Sequence, residues 1–225
     1  MRVILATVLL AGGLAAAQVP ATPAQADPET CPPVCDQIPD TAWIDPGAVP
    51  LNGTYRWPTL ARVAAPVTGA APGPRFRFEE LCATTFFPRD PREYAVASRA
   101  AVANPPGQWQ LQAQVLHWRG DTARGGQNAF SVFASAAAAL RGCQLGAPNQ
   151  SAAITVDETN RLAAVISGPV ILHTYLVAEP QNSSLSELSL WSSSPPQIPW
   201  PTVSDAQVLD AMSGPLCAAY LGSCP

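Results

Sequence analysis

The run QWQLQAQVLHW, from Gln108 to Trp118, constrains the fold more tightly than any other stretch of this chain. Glutamine stands at 108, 110, 112 and 114, and Trp109, Leu111, Ala113 and Val115 fill the alternate positions. Side chains along a strand point to opposite faces in turn, so this alternation predicts a strand with one packed face and one wet face. The cluster Asn104-Pro105-Pro106-Gly107 breaks the chain just before it.

Other strands are expected to complete the sheet. RFRFEELCATTFF (Arg75 to Phe87) alternates well enough for a strand holding Cys82. SAAITV (Ser151 to Val156) runs into the turn DETN. Arg161 to Glu179 is too long for one strand, and Ser167-Gly168-Pro169 should divide it. SLSELSLW (Ser184 to Trp191) follows the turn Pro180 to Ser183.

Three helices are expected. RGDTARGGQ (Arg119 to Gln127) reads as a flexible loop, and Asn128 can cap a helix that places Phe130, Phe133, Ala137 and Leu140 on one buried stripe. Gly142 suits its end, and Cys143 continues the stripe. Its many alanines allow close approach to a sheet. Near the C-terminus, Ser204 and Gln207 form a capping box, with Val203 able to staple to Val208. Gly214-Pro215 should interrupt that helix, leaving Ser213 to cap a second one. The expected class is α+β, an antiparallel sheet with helices packed on one face.

The N-terminus gives the compartment. Arg2, an apolar run from Val3 to about Ala17 and the small-x-small site Ala24-Gln25-Ala26 read as a cleaved secretory signal peptide, residues 1–26. Residues 27–53 are proline-rich and read as an extended arm, and residues 54–225 as the domain. The mature chain is expected to lack a transmembrane segment and to be secreted or held in the cell envelope. The net charge is −4 and all basic residues are arginines without clustering, which makes nucleic acid a poor partner. Six cysteines (Cys31, Cys35, Cys82, Cys143, Cys217, Cys224) in an exported chain point to disulfides. Cys31 and Cys35 lack the spacing and the histidine neighbours of a zinc site, so no metal is expected.

Catalytic signals are weak. There is no G-x-S-x-G elbow and no phosphate-cradling glycine loop, and no cofactor is expected. His117 and His173 are the only histidines, so a hydrolase would have to use one of them with a converging serine and carboxylate. Glu79 and Glu80 would point to opposite sides of a strand, and Asp90 and Glu93 beside Arg89 and Arg92 read as solvated ion pairs.

A strand ending VLHW, a loop, then NAFSVFASAAAALRGC, with Leu81-Cys82-Ala83 and Pro91-Arg92-Glu93-Tyr94 upstream, resembles the extracellular sensor domains of the mycobacterial PknH-like family over roughly residues 75 to 221. The chain departs from that family in lacking a kinase domain, in carrying Arg141-Gly142 before the helix cysteine, and in adding the Cys31/Cys35 arm. The resemblance implies a Cys82–Cys143 bridge and a sheet with a groove on the face away from its helices. Cys31–Cys35 and Cys217–Cys224 are then the local pairs, with Cys31 or Cys35 joined to Cys217 or Cys224 as the competing arrangement.

The leading expectation is a secreted, non-catalytic binding module. Gln110, Gln112, Gln114, His173, Tyr175 and Trp191 would contact a glycan or a small polar or amphipathic ligand. The alternatives are a cell-envelope hydrolase using His117 or His173, and an antigen-like structural protein whose partner is an envelope protein and whose mark is an exposed apolar patch.

Overall fold

A strand taken into a protein interior carries a row of backbone N–H and C=O groups that only lateral pairing satisfies. Seven segments pair in this way: β1 (Ala64–Pro66), β2 (Val96–Val102), β3 (Gln110–His117), β4 (Ser151–Asp157), β5 (Arg161–Ser167), β6 (Val170–Glu179) and β7 (Ser184–Ser193). The computed structural model describes residues 37–67, 74–85 and 88–220. Within them the strands form one antiparallel sheet in the order β1-β2-β3-β7-β6-β5-β4. The division at Ser167-Gly168-Pro169 falls as expected, making β5 and β6 a hairpin. β7 returns between β6 and β3, so the glutamine strand lies inside the sheet with neighbours on both edges.

The helices are α1 (Asn52–Tyr55), α2 (Leu60–Val63), α3 (Arg77–Leu81), α4 (Thr122–Arg141), α5 (Cys143–Gly146) and α6 (Asp205–Ala219). α4 covers one face, where Val132, Phe133, Ala136, Ala137 and Leu140 pack with Leu162, Leu172, Leu176 and Leu185 of the strands. The α+β class, the antiparallel sheet with packed helices and the disulfide pin are thus all present. None of the helices among the described residues is long and apolar enough to cross a membrane.

The other face, expected to be open, is closed. Val208, Leu209, Met212 and Leu216 of α6 pack there against Tyr175, Val177 and Leu188. Ile38, Trp43, Ile44, Val49 and Leu51 join the same cluster, so the described part of residues 27–53 is core and not an extended arm. That stretch turns through two 3-10 segments, Asp40–Ala42 and Pro46–Ala48. The packed unit accordingly reaches back across the expected boundary at residue 54 to Ile38. The signal peptide and Cys31, Cys35 and Cys224 lie outside the described residues.

Three local expectations are corrected. Arg75 to Phe87 holds the helix α3, with Cys82 at its C-cap, because Glu79 folds back to accept the Phe76 N–H and caps a helical turn. α4 begins at Thr122, six residues before Asn128, with the Asp121 carboxylate accepting the Arg124 N–H at 2.8 Å. It runs through Gly125-Gly126, where a Cβ would collide with the Ser183 side chain and the Pro180 carbonyl oxygen. The glycines let helix and turn touch, and that packing outweighs their poor helix propensity. Phe133, Ala137 and Leu140 lie on the buried stripe as expected, together with Ala129, Val132 and Ala136, whereas Phe130 falls outside it and is 45 % exposed. Finally, α6 does not break at Gly214-Pro215; it runs on to Ala219 with the Ser213 hydroxyl donating to the Leu209 carbonyl. The Ser204/Gln207 capping box is formed.

Candidate functional site

Register places the six candidate residues. Gln112 faces Ser189 and Gln114 faces Glu187 across the β3–β7 pair, while Gln110 is opposite Trp191. These side chains share the α4 face. His173 and Tyr175 take the opposite parity, packing with α6 on the other side. The six residues therefore do not form one patch.

Gln110 serves the β2–β3 connection: its amide donates to the Asn104 and Gln108 carbonyls and accepts the Asn104 N–H. Gln112 and Gln114, expected to be wet, are buried. Alternation of polar and apolar residues distinguishes the two faces of a strand, but here both are roofed. The amides instead join a polar ladder across the middle of the sheet. Arg99 on β2 donates through Nε to Gln114 Oε1 at 2.8 Å. Gln112 Nε2 donates to Glu187 Oε2 at 3.2 Å, and the Ser189 hydroxyl donates to Glu187 Oε1 at 2.9 Å. Ser189 lies 2.9 Å from the Thr174 hydroxyl.

Residues Arg75 to Arg77 tie a cover over this ladder. The Arg77 N–H donates to Glu187 Oε1 at 2.6 Å, and Arg99 Nη2 donates to the Arg75 carbonyl at 2.7 Å. The Arg77 guanidinium lies 4.4 Å from the ring centre of Trp191, which is half-buried at the ladder's end. Glu187 is fully buried, and burial pushes its carboxyl up to about 7 against the pull of its donors and of Arg99. Gln114 Nε2 is buried without a hydrogen-bond partner among the described residues. Glu187 and Arg99 were missed in the sequence. The available signal was parity in SLSELSLW, which sets Glu187 and Ser189 on the same face as Trp191.

On the other face His173 stacks on Trp200 at 3.6 Å and leans toward Trp109 at 5.8 Å. The Tyr175 hydroxyl donates to Asp205 at 2.7 Å, and burial with this bond raises its pKa. His173 Nδ1 has no hydrogen-bond partner among the described residues, and burial pushes the imidazole down to about 4 despite the nearby Asp205 charge. Its ordinary value is 6.5. The folded state thus resists protonation, so stability is full above 6.5 and is lost as pH falls from there toward 4. A shift of this size is worth on the order of 3 kcal/mol. Urea unfolding at pH 7 and pH 4.5 should show wild type losing more stability on acidification than His173→Phe, which keeps the stack without the titration. Equal losses would remove His173 from the acid response.

His117 is stacked on Tyr220 at 4.1 Å, with Nδ1 3.0 Å from the Ser184 hydroxyl. Burial lowers its pKa, and the charge acting on it is Arg119, not a carboxylate. Ser184 is fully buried and donates to the Asn182 carbonyl, which leaves it no access to a substrate. His117 and His173 pair with Ser184 and Leu190, six positions apart on β7, or about 20 Å along a strand. Neither has both a serine and a carboxylate on it among the described residues.

Cys82 and Cys143 are bridged across 61 residues with Cα atoms 4.7 Å apart. Cys217 is also disulfide-bonded, to a partner outside the described residues. No cluster of metal-ligating side chains occurs among the described residues. Fold and site together define a disulfide-pinned α+β domain whose sheet carries a buried polar ladder. No protein-family model and no curated protein match the sequence.

Proposed function

We propose that this protein is an exported, non-catalytic binding module that holds a glycan or a small polar ligand at the Trp191 end of the ladder. The carrying observation is the buried Gln114 amide with an unpartnered Nε2, beside a buried glutamate, where an apolar core would be more stable. Such a departure from local stability is characteristic of a site kept for function. The Cys82–Cys143 bridge fits an oxidising compartment. Trp191 supplies a half-buried aromatic surface opposite Gln110, and the Gln112 amide lies two residues further along the same face, a pairing suited to hydroxyl-bearing ligands.

Tryptophan fluorescence titrations with a panel of neutral oligosaccharides and polyols test this reading. A saturable change is expected in wild type, and it should weaken at least tenfold in Trp191→Ala and in Gln112→Met. Gln112→Met should leave stability within about 1 kcal/mol of wild type, since the bond it removes is long and single. Absence of saturable binding, or binding indifferent to both substitutions, overturns the assignment.

A further inference from the structure

None of the ladder's residues lines the open cleft of about 630 Å³ between the Pro91–Tyr94 turn and the first turns of α4. Its volume lies in the range of small-ligand sites. Tyr94 stands at its mouth, 70 % exposed, on a turn that is fixed from below. Asp90 accepts the Arg92 N–H, and the Arg92 side chain is locked between Asp90 and Glu79. An exposed ring held on so rigid a base loses little freedom when a ligand stacks on it. Trp118 forms part of the wall and is itself fixed by its indole N–H on the Pro91 carbonyl.

Two opposite charges line this cleft without meeting. Glu93 and Arg124 are both exposed, and neither side chain has an ion-pair or hydrogen-bond partner among the described residues. Elsewhere the same structure pairs its arginines readily: Arg77 with Glu80, Arg141 with Asp157, Arg161 with Glu158 and Asp210. Arg119 also lines the cleft.

We infer that this cleft is a second binding site, for a zwitterionic small molecule of the amino-acid or short-peptide class, with Arg124 receiving its carboxylate, Glu93 its ammonium group and Tyr94 its apolar side chain. A carboxylate on a guanidinium makes a charge-assisted bond, and Glu93 makes an added amine favourable where a second acid would be repelled. The inference is independent of the ladder, because the two sites share no residue.

Calorimetric titration with four probes tests it: the dipeptide alanyl-phenylalanine, its N-acetyl form, its C-terminal amide and glucuronate. The free dipeptide should bind, and blocking either end should weaken it at least tenfold. Arg124→Gln should reproduce the loss seen with the amide, and Glu93→Gln the loss seen with the acetyl form, each with an unchanged melting temperature. Equal binding of free and blocked dipeptides, preference for glucuronate, or no binding at 10-fold excess over about 1 mM protein overturns the proposal.

Discussion

Arg92→Met should lower the unfolding free energy by roughly 3–5 kcal/mol, a larger loss than any surface ion pair could account for. Arg92 donates Nε and Nη2 to Asp90 and Nη1 and Nη2 to Glu79, at 2.7 to 3.1 Å. The guanidinium also lies 4.9 Å from the Phe76 ring centre. All three charged side chains are nearly removed from solvent, with exposures of 9 %, 7 % and 6 %. Methionine fills much of the space but leaves two neighbouring carboxylates buried, with only Arg75, 3.8 Å from Glu79, to balance them. The loss therefore comes from the stranded charges more than from missing bonds. Glu79→Gln and Asp90→Asn added to Arg92→Met should recover most of the stability in urea unfolding, since both amides keep the acceptor oxygens that cap their turns. If Arg92→Met costs less than about 1 kcal/mol, the cluster is wet after all.

This cluster also marks where sequence reasoning stops. Asp90 and Arg92 read as a solvated turn because their spacing is local, whereas burial depends on Glu79, 13 residues away on α3. α3 itself was hidden by chance alternation in RFRFEEL, which a strand and a capped helical turn fit equally well over so few residues. The longer periodic elements were legible: β3, the β5–β6 hairpin, β7 and the capping box of α6 all follow from pattern and turn chemistry. The start of α4 was not, since Gly125 and Gly126 are explained only by the turn at Pro180 to Ser183, more than 50 residues on. The candidate site was legible in part. Parity correctly grouped the glutamines, and register places Trp191 beside them. It could not reveal that His173 and Tyr175 take the other face, because parity within one strand says nothing about parity between strands until the register is known.

Removing the Cys82–Cys143 bridge as the double alanine variant should cost about 4 kcal/mol, the loop-closure entropy of 61 residues. The bridge ties the end of α3 to the start of α5. Gly146 packs directly against the bridged turn, where a Cβ added to it would stand 2.5 Å from the Cys82 carbonyl oxygen. α3 has a second tether in Glu79–Arg92 and a third in the Arg77 N–H to Glu187. The tethers are therefore coupled. With the bridge gone, α3 can lift and place Glu79 in water, so Arg92→Met should then cost less than it does in the bridged protein. A double-mutant cycle by urea unfolding measures this, with an expected coupling of about 1–2 kcal/mol. Hydrogen exchange at the Arg77 amide should accelerate in the unbridged variant alone, before global unfolding. Additivity within about 0.5 kcal/mol would mean that α3 stays docked without its disulfide, and that the cover over the ladder is held by the sheet itself.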